Sequence, residues 1–98
     1  MSLEIENLAD IFKALSDPTR LQILRILETQ ERSVTEIVDF FNLSQPTISR
    51  HLSALANAGL IGSRRQEQQR IYKLNSDNLK DLMKEYFGGF TSLKGFKL

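Results

Sequence analysis

Apolar positions along the chain fall into a repeating helical pattern broken once by a short alternating stretch. Leu8, Ile11, Phe12 and Leu15 recur at helical spacing, extended backward by Leu3 or Ile5, which predicts a first helix over roughly Leu3 to Leu15. Ser16-Asp17-Pro18 ends it and opens another, because a capping residue precedes a proline placed where its missing N–H costs nothing. Leu21, Leu24, Ile26 and Leu27 stripe this second helix to about Thr29, and Gln30-Glu31-Arg32 reads as a polar connector. Ser33, with Glu36 three residues on, forms a capping box for a short third helix that buries Val34, Ile37, Val38 and Phe41.

After a tight turn at Asn42-Leu43, Ser44 caps a fourth helix with Pro46 in its first turn and Ile48, Leu52 and Leu55 as its apolar stripe. Gly59 stands where a left-handed C-cap belongs, with apolar Leu60 behind it. Residues 61–65 and 69–74 then read as a strand pair, with Tyr72 and Leu74 on one face and Ile71 and Lys73 on the other. Ser76 or Asp77 starts a last helix carrying Leu79, Leu82, Met83, Tyr86 and Phe87. The predicted order is α-α-α-α-β-β-α: a mainly α domain with a small β-hairpin, built as a winged helix-turn-helix over residues 1–98.

Charge sharpens this reading. The net charge of +1 hides an asymmetry: residues 1–43 carry eight acids and four bases, whereas residues 44–74 carry five bases (Arg50, Arg64, Arg65, Arg70, Lys73) and one acid, Glu67. A basic middle third on a nearly neutral chain suggests one polyanion-facing surface, the alternative being a solvated face that happens to be basic. With Ile48 set at zero and 100° per residue, Pro46, Thr47, Arg50, Ser53, Ala54 and Asn57 lie opposite the apolar stripe. These side chains are mostly small or hydrogen-bonding, so the helix can enter a major groove about 12 Å wide. Gln45, Thr47, Ser49 and Arg50 lie in the first two turns, which meet base edges in this docking geometry, and Ser44 with the free first-turn amides suits a phosphate.

Composition excludes other functions. At 98 residues and 41% apolar content the chain supports one modest core, burying only about two-thirds of its unfolded surface, so a second subunit would help it. With no cysteine there are no disulfides or thiolate metal sites, and a single histidine, His51, leaves no histidine-rich metal site or histidine-centred triad within one chain. No apolar run approaches the roughly 20 residues that span a bilayer, and the acidic, amphipathic start does not read as a secretory signal. We expect a cytoplasmic, non-enzymatic binding protein without cofactor or metal and with no membrane association. The rival reading is a winged-helix protein-interaction module, against which the basic 44–74 segment argues, since protein-docking faces are more often apolar or aromatic.

Two blocks carry a family resemblance: Phe12-Lys13-Ala14-Leu15-Ser16-Asp17-Pro18-Thr19-Arg20 with Ile23-Leu24, and Leu43-Ser44-Gln45-Pro46-Thr47-Ile48-Ser49-Arg50-His51-Leu52, followed by Leu55, Ala58-Gly59-Leu60-Ile61 and Tyr72-Lys73-Leu74. The chain resembles the ArsR family of winged-helix repressors from about Leu8 to Asn75. The resemblance implies a homodimer built from the first and last helices, here through Leu8, Ile11, Phe12, Leu79, Leu82, Met83, Tyr86 and Phe87, that binds a near-palindromic operator in double-stranded DNA and represses transcription. It also suggests a phosphate contact for His51, which would otherwise fill the rim of the core. Arg20, at the matching place of the Asp-Pro-Thr-Arg motif, is expected to make a structural salt bridge, the alternative being a DNA contact.

Departures from the family bear on the signal. Where many members carry a cysteine pair, this chain has Ser33 and Thr35, and its last helix has no histidine. Asp77, Asp81 and Glu85 share a stripe that a hard metal would suit, but pairing with Lys80 and Lys84 is the expected use. The wing tip reads Gln66-Glu67-Gln68 in place of the usual glycine, so a looser or longer turn is expected, with Arg64, Arg65 and Arg70 along the DNA backbone and Glu67 held clear. The apolar tail from Tyr86 through Phe90, Leu93, Phe96 and Leu98 is expected to pack at the dimer seam, or else to line an effector pocket. The effector itself stays unassigned.

Overall fold

A computed structural model describes residues 4–97. Its elements are α1 (Ile5–Ala14), α2 (Pro18–Thr29), β1 (Arg32–Ser33), α3 (Val34–Val38), α4 (Gln45–Asn57), β2 (Ile61–Gln66), β3 (Gln69–Leu74) and α5 (Ser76–Tyr86), with 3-10 turns at Phe87–Gly89 and Thr91–Leu93. Leu3 and Leu98 lie outside the described residues.

Local chemistry sets the element ends. The Asp17 carboxylate accepts from the Thr19 and Arg20 amides to cap α2, whose first residue is Pro18. Ser33 and Glu36 form the full capping box of α3. At the end of α4, Gly59 takes φ +77° while Gly59 N–H donates to Ala56 and Leu60 N–H to Leu55, the double bond of a Schellman motif.

Ile23, Leu27, Ile37, Ile48, Leu52, Leu55, Leu60 and Ile61 form the buried core, joining α2, α3, α4 and the start of β2. Tyr72 and Leu74 pack on it together, as their alternation requires. The fourth helix is therefore fixed along its whole apolar stripe, leaving the opposite face free.

Three expectations need correction. The connector before α3 is not wholly irregular, since Arg32 and Ser33 pair antiparallel with Tyr72 and Ile71, giving a three-stranded sheet in the order β1-β3-β2. Two residues are too short for alternation to reveal a strand. Helix α3 ends at Val38, so Phe41 packs on the core from the turn and not from the helix. Helix α5 starts at Ser76, one of the two expected positions, and is capped by Asn75, whose side chain accepts from the Asn78 amide. The wing is tight: pairing runs to Gln66 opposite Gln69, leaving a two-residue loop in which Glu67 itself takes φ +58°.

Candidate nucleic-acid interface

Helix α4 presents Ser44, Gln45, Arg50, Ser53 and Asn57 exposed, with Thr47, Ser49, His51 and Ala54 half-buried beside them. Ser44 Oγ lies 2.8 Å from Thr47 Oγ1 and accepts from the Thr47 amide. Pro46 has no N–H, so the first-turn amides open to a phosphate reduce to that of Gln45. Arg50 makes no hydrogen bond or ion pair among the described residues, and its guanidinium is free for a base edge or phosphate.

The wing adds charge in a particular arrangement. Arg65 stands directly opposite Arg70 across β2 and β3, and Arg64 opposite Ile71. Like charges paired across a sheet repel, and an anion between them relieves that cost. Arg70 donates to Ser63 at 2.9 Å, while Arg65 makes no hydrogen bond or ion pair among the described residues. Arg64 is different: it donates to Glu31 at 2.7 Å and to Gln66 at 3.1 Å. Sequence reasoning missed Glu31, which stands 33 residues before Arg64 and carries no local signal of the contact.

Arg20 and His51 meet. Arg20 Nε donates to His51 Nδ1 at 3.1 Å, and its Nη1 donates to the Ala14 carbonyl at 3.4 Å. Arg20, expected to make a structural salt bridge, instead contacts the imidazole ring and a carbonyl, and among the described residues no carboxylate side chain pairs with its guanidinium. Asp17 stands 3.8 Å from His51 Nδ1, too far for a hydrogen bond.

The helices assigned to dimerisation divide into two groups. Leu8 and Leu82 are each only 3% exposed within the single protomer, so they give a second subunit almost no new area. Ile11 and Leu79 pack partly on the protomer's own core. Phe12 meets Tyr86 and Phe87 edge-on at centroid distances of 5.3 and 6.1 Å, and Tyr86 carries Phe90 at 5.3 Å. Together with Ile5, Leu8 and Ala9, the Phe12, Tyr86 and Phe87 rings line an open apolar groove of about 480 Å³. Phe90 thus stays against the end of α5, while it and Phe96 remain 45% and 68% exposed.

Ser33 is buried and its hydroxyl is committed to the capping box and to Thr35, so the pair at the family's cysteine positions does not suit a thiophilic metal. Among the described residues no three His, Asp or Glu side chains converge on a metal position.

Known proteins share this architecture. Residues 17–63 match the family described as bacterial regulatory proteins of the arsR family. An uncharacterised HTH-type transcriptional regulator of Methanocaldococcus jannaschii is 41% identical over 81% of this chain and 90% of its own length. The transcriptional repressor SdpR of Bacillus subtilis is 42% identical over 74% of this chain and 80% of its own. A solution structure of a homodimeric winged helix-turn-helix DNA-binding domain from Mycobacterium bovis, a possible ArsR-family regulator, superposes with a TM-score of 0.73 at 32% identity over 80% of this chain and 72% of that one. The chain, with its capped fourth helix and its arginine-lined wing, belongs to the arsR family of regulatory proteins.

Proposed function

We propose that this protein is a DNA-binding transcriptional regulator that acts as a homodimer, most simply a repressor on a near-palindromic operator in the cytoplasm. One observation carries the reading: the exposed face of α4 stands in a fold whose hairpin holds Arg65 opposite Arg70, a charge pair that a phosphate backbone would stabilise. Gln45, Thr47, Ser49 and Arg50 read base edges or adjacent phosphates, Ser44 and His51 anchor phosphate, and Arg64, Arg65 and Arg70 supply charge along the backbone or in the minor groove. Dimerisation joins the α1 and α5 faces, which places two copies of α4 on successive half-sites. The role is regulatory and not enzymatic, as in the family, and among the described residues the one histidine is engaged by Arg20 and not by a nucleophile. No helix among the described residues is long and apolar enough to cross a membrane.

The test is an anisotropy titration of a labelled duplex from upstream of the protein's own gene against a scrambled duplex at several salt concentrations. A dimer neutralising ~6–10 phosphates should give a log-log salt slope of about −5 to −9, with a preference of ~1000-fold for the native duplex. A slope near zero on both duplexes would overturn the reading in favour of a protein-docking module.

A further inference from the structure

We propose that Arg20 is a positioning residue for DNA binding, holding the His51 ring so that Nε2–H is presented as a phosphate donor. This rests on the DNA-binding reading above and assigns a role to a residue outside α4 and the wing.

The argument begins with the ring's two nitrogens. A nitrogen that accepts from Arg20 Nε at 3.1 Å cannot carry a proton, so the neutral imidazole bears its proton on Nε2. Asp17 does not compete for the ring. Its Oδ2 accepts from the Thr19 and Arg20 amides at 2.8 and 3.2 Å and lies 3.8 Å from Nδ1. The side chain of His51 is only 17% exposed, yet no buried side-chain nitrogen or oxygen lacks a hydrogen-bond partner among the described residues. Nε2 has no such partner, so it is the edge of the ring that reaches solvent.

Position on the helix agrees. Relative to Ile48, His51 lies 60° to one side, and Ser44 and Thr47 fall on the same flank at about 40° and 100°. The outward nitrogen therefore joins two hydroxyls on one side of the recognition helix, an edge suited to one DNA strand. Arg20 is in turn held by the Ala14 carbonyl at the last residue of α1. The ring's orientation thus depends on the α1–α2 junction as well as on α4.

The experiment exploits the single histidine, since histidine labelled with 15N gives the signals of one imidazole. In the wild-type protein a long-range 1H–15N spectrum should show a bare Nδ1 and a protonated Nε2. In Arg20→Gln the two tautomers should mix. Arg20→Lys keeps the charge and aliphatic stem but loses the planar Nε–H, so it should fold and behave like Arg20→Gln.

Duplex affinity, measured on the upstream DNA used above, should fall roughly 10-fold or more in Arg20→Gln and in His51→Ala. The double variant should bind no worse than either single one, because the two act through one contact. A wild-type tautomer retained in both Arg20 variants overturns the positioning, and so does a double-variant loss equal to the product of the single losses. A wild-type protein with bare Nδ1 that binds no duplex overturns the DNA-binding reading, and the phosphate role with it, while the ring geometry stands.

Discussion

Arg64 and Glu31 are joined at 2.7 Å across β3, with side chains 50% and 45% exposed. One of the wing's three arginines is thus neutralised by a carboxylate of the same protomer. An exposed pair of this kind contributes only about 0–1 kcal/mol to folding, so a phosphate can displace Glu31 without unfolding anything. Replacing Glu31 by Gln should leave urea stability within about 1 kcal/mol of wild type. It should also tighten duplex binding and steepen the salt slope by about 1 for each protomer, since one more arginine is free to neutralise a phosphate. Unchanged affinity and slope would show that Arg64 stays off the DNA.

The wing tip stores a different cost. Glu67 occupies φ +58° at the first of two loop residues, a place where two-residue hairpins favour glycine. A left-handed residue other than glycine costs about 1–2 kcal/mol, and the greater freedom of glycine in the unfolded chain returns about 0.4–1 of that. Glu67→Gly should therefore raise unfolding free energy by up to about 1.5 kcal/mol in urea titration. It also removes the only acid between residues 44 and 74, so duplex binding should tighten in the same variant.

These two cases show where the sequence was readable. Caps, the glycine terminus of α4 and the outward face of that helix depend on neighbours within a few residues, and spacing reveals them. The contacts that were missed join distant positions: Arg20 to His51 at a separation of 31, Arg64 to Glu31 at 33 and Asn78 to Gly59 at 19. Strand β1 escaped notice for the same reason, as two residues become a strand only because β3 lies beside them. At Glu67 the register of β2 against β3 closed the loop tightly despite the local preference for glycine.

Gly59 ties the recognition helix to α5. A methyl group there would meet Asn78 Nδ2 at 3.0 Å, and that same nitrogen donates to the Gly59 carbonyl at 2.7 Å. Gly59→Ala should lose about 1–2 kcal/mol from the positive φ alone. Asn78→Ala should cost about 1 kcal/mol, the net worth of one hydrogen bond. Combined in one protein, the two losses should be non-additive, because both act on the same contact. Thermal or urea unfolding of the three variants measures this.

The capping box gives the fold an acid-sensitive point. Hydrogen bonds from the Ser33 backbone and side chain hold the Glu36 carboxyl below its ordinary value of 4.5. A carboxylate with a lowered folded-state value stabilises fully above 4.5 and loses that contribution as pH falls through the lowered value. Stability of the wild type measured in urea should therefore decline below about pH 4.5 more than that of Glu36→Gln, whose amide still reaches Ser33 but does not titrate. Parallel declines in the two proteins would assign the acid sensitivity elsewhere.

Dimerisation can be tested without disturbing the protomer. Ile5 is 69% exposed on α1 beside the apolar groove lined by Phe12 and Tyr86, whereas Leu8 is already buried. A charge at Leu8 would unfold the protomer and reveal nothing about assembly. Ile5→Glu changes an exposed side chain, so unfolding of the isolated protomer should shift by no more than about 0.5 kcal/mol. In a homodimer that covers this face, the new carboxylate would be buried without a partner, and sedimentation velocity should show a monomer where the wild type is a dimer. With one wing and one α4 engaged, the salt slope on the upstream duplex should fall to about half. A dimer that persists in Ile5→Glu with an unchanged slope would place the interface away from the N-terminal half of α1.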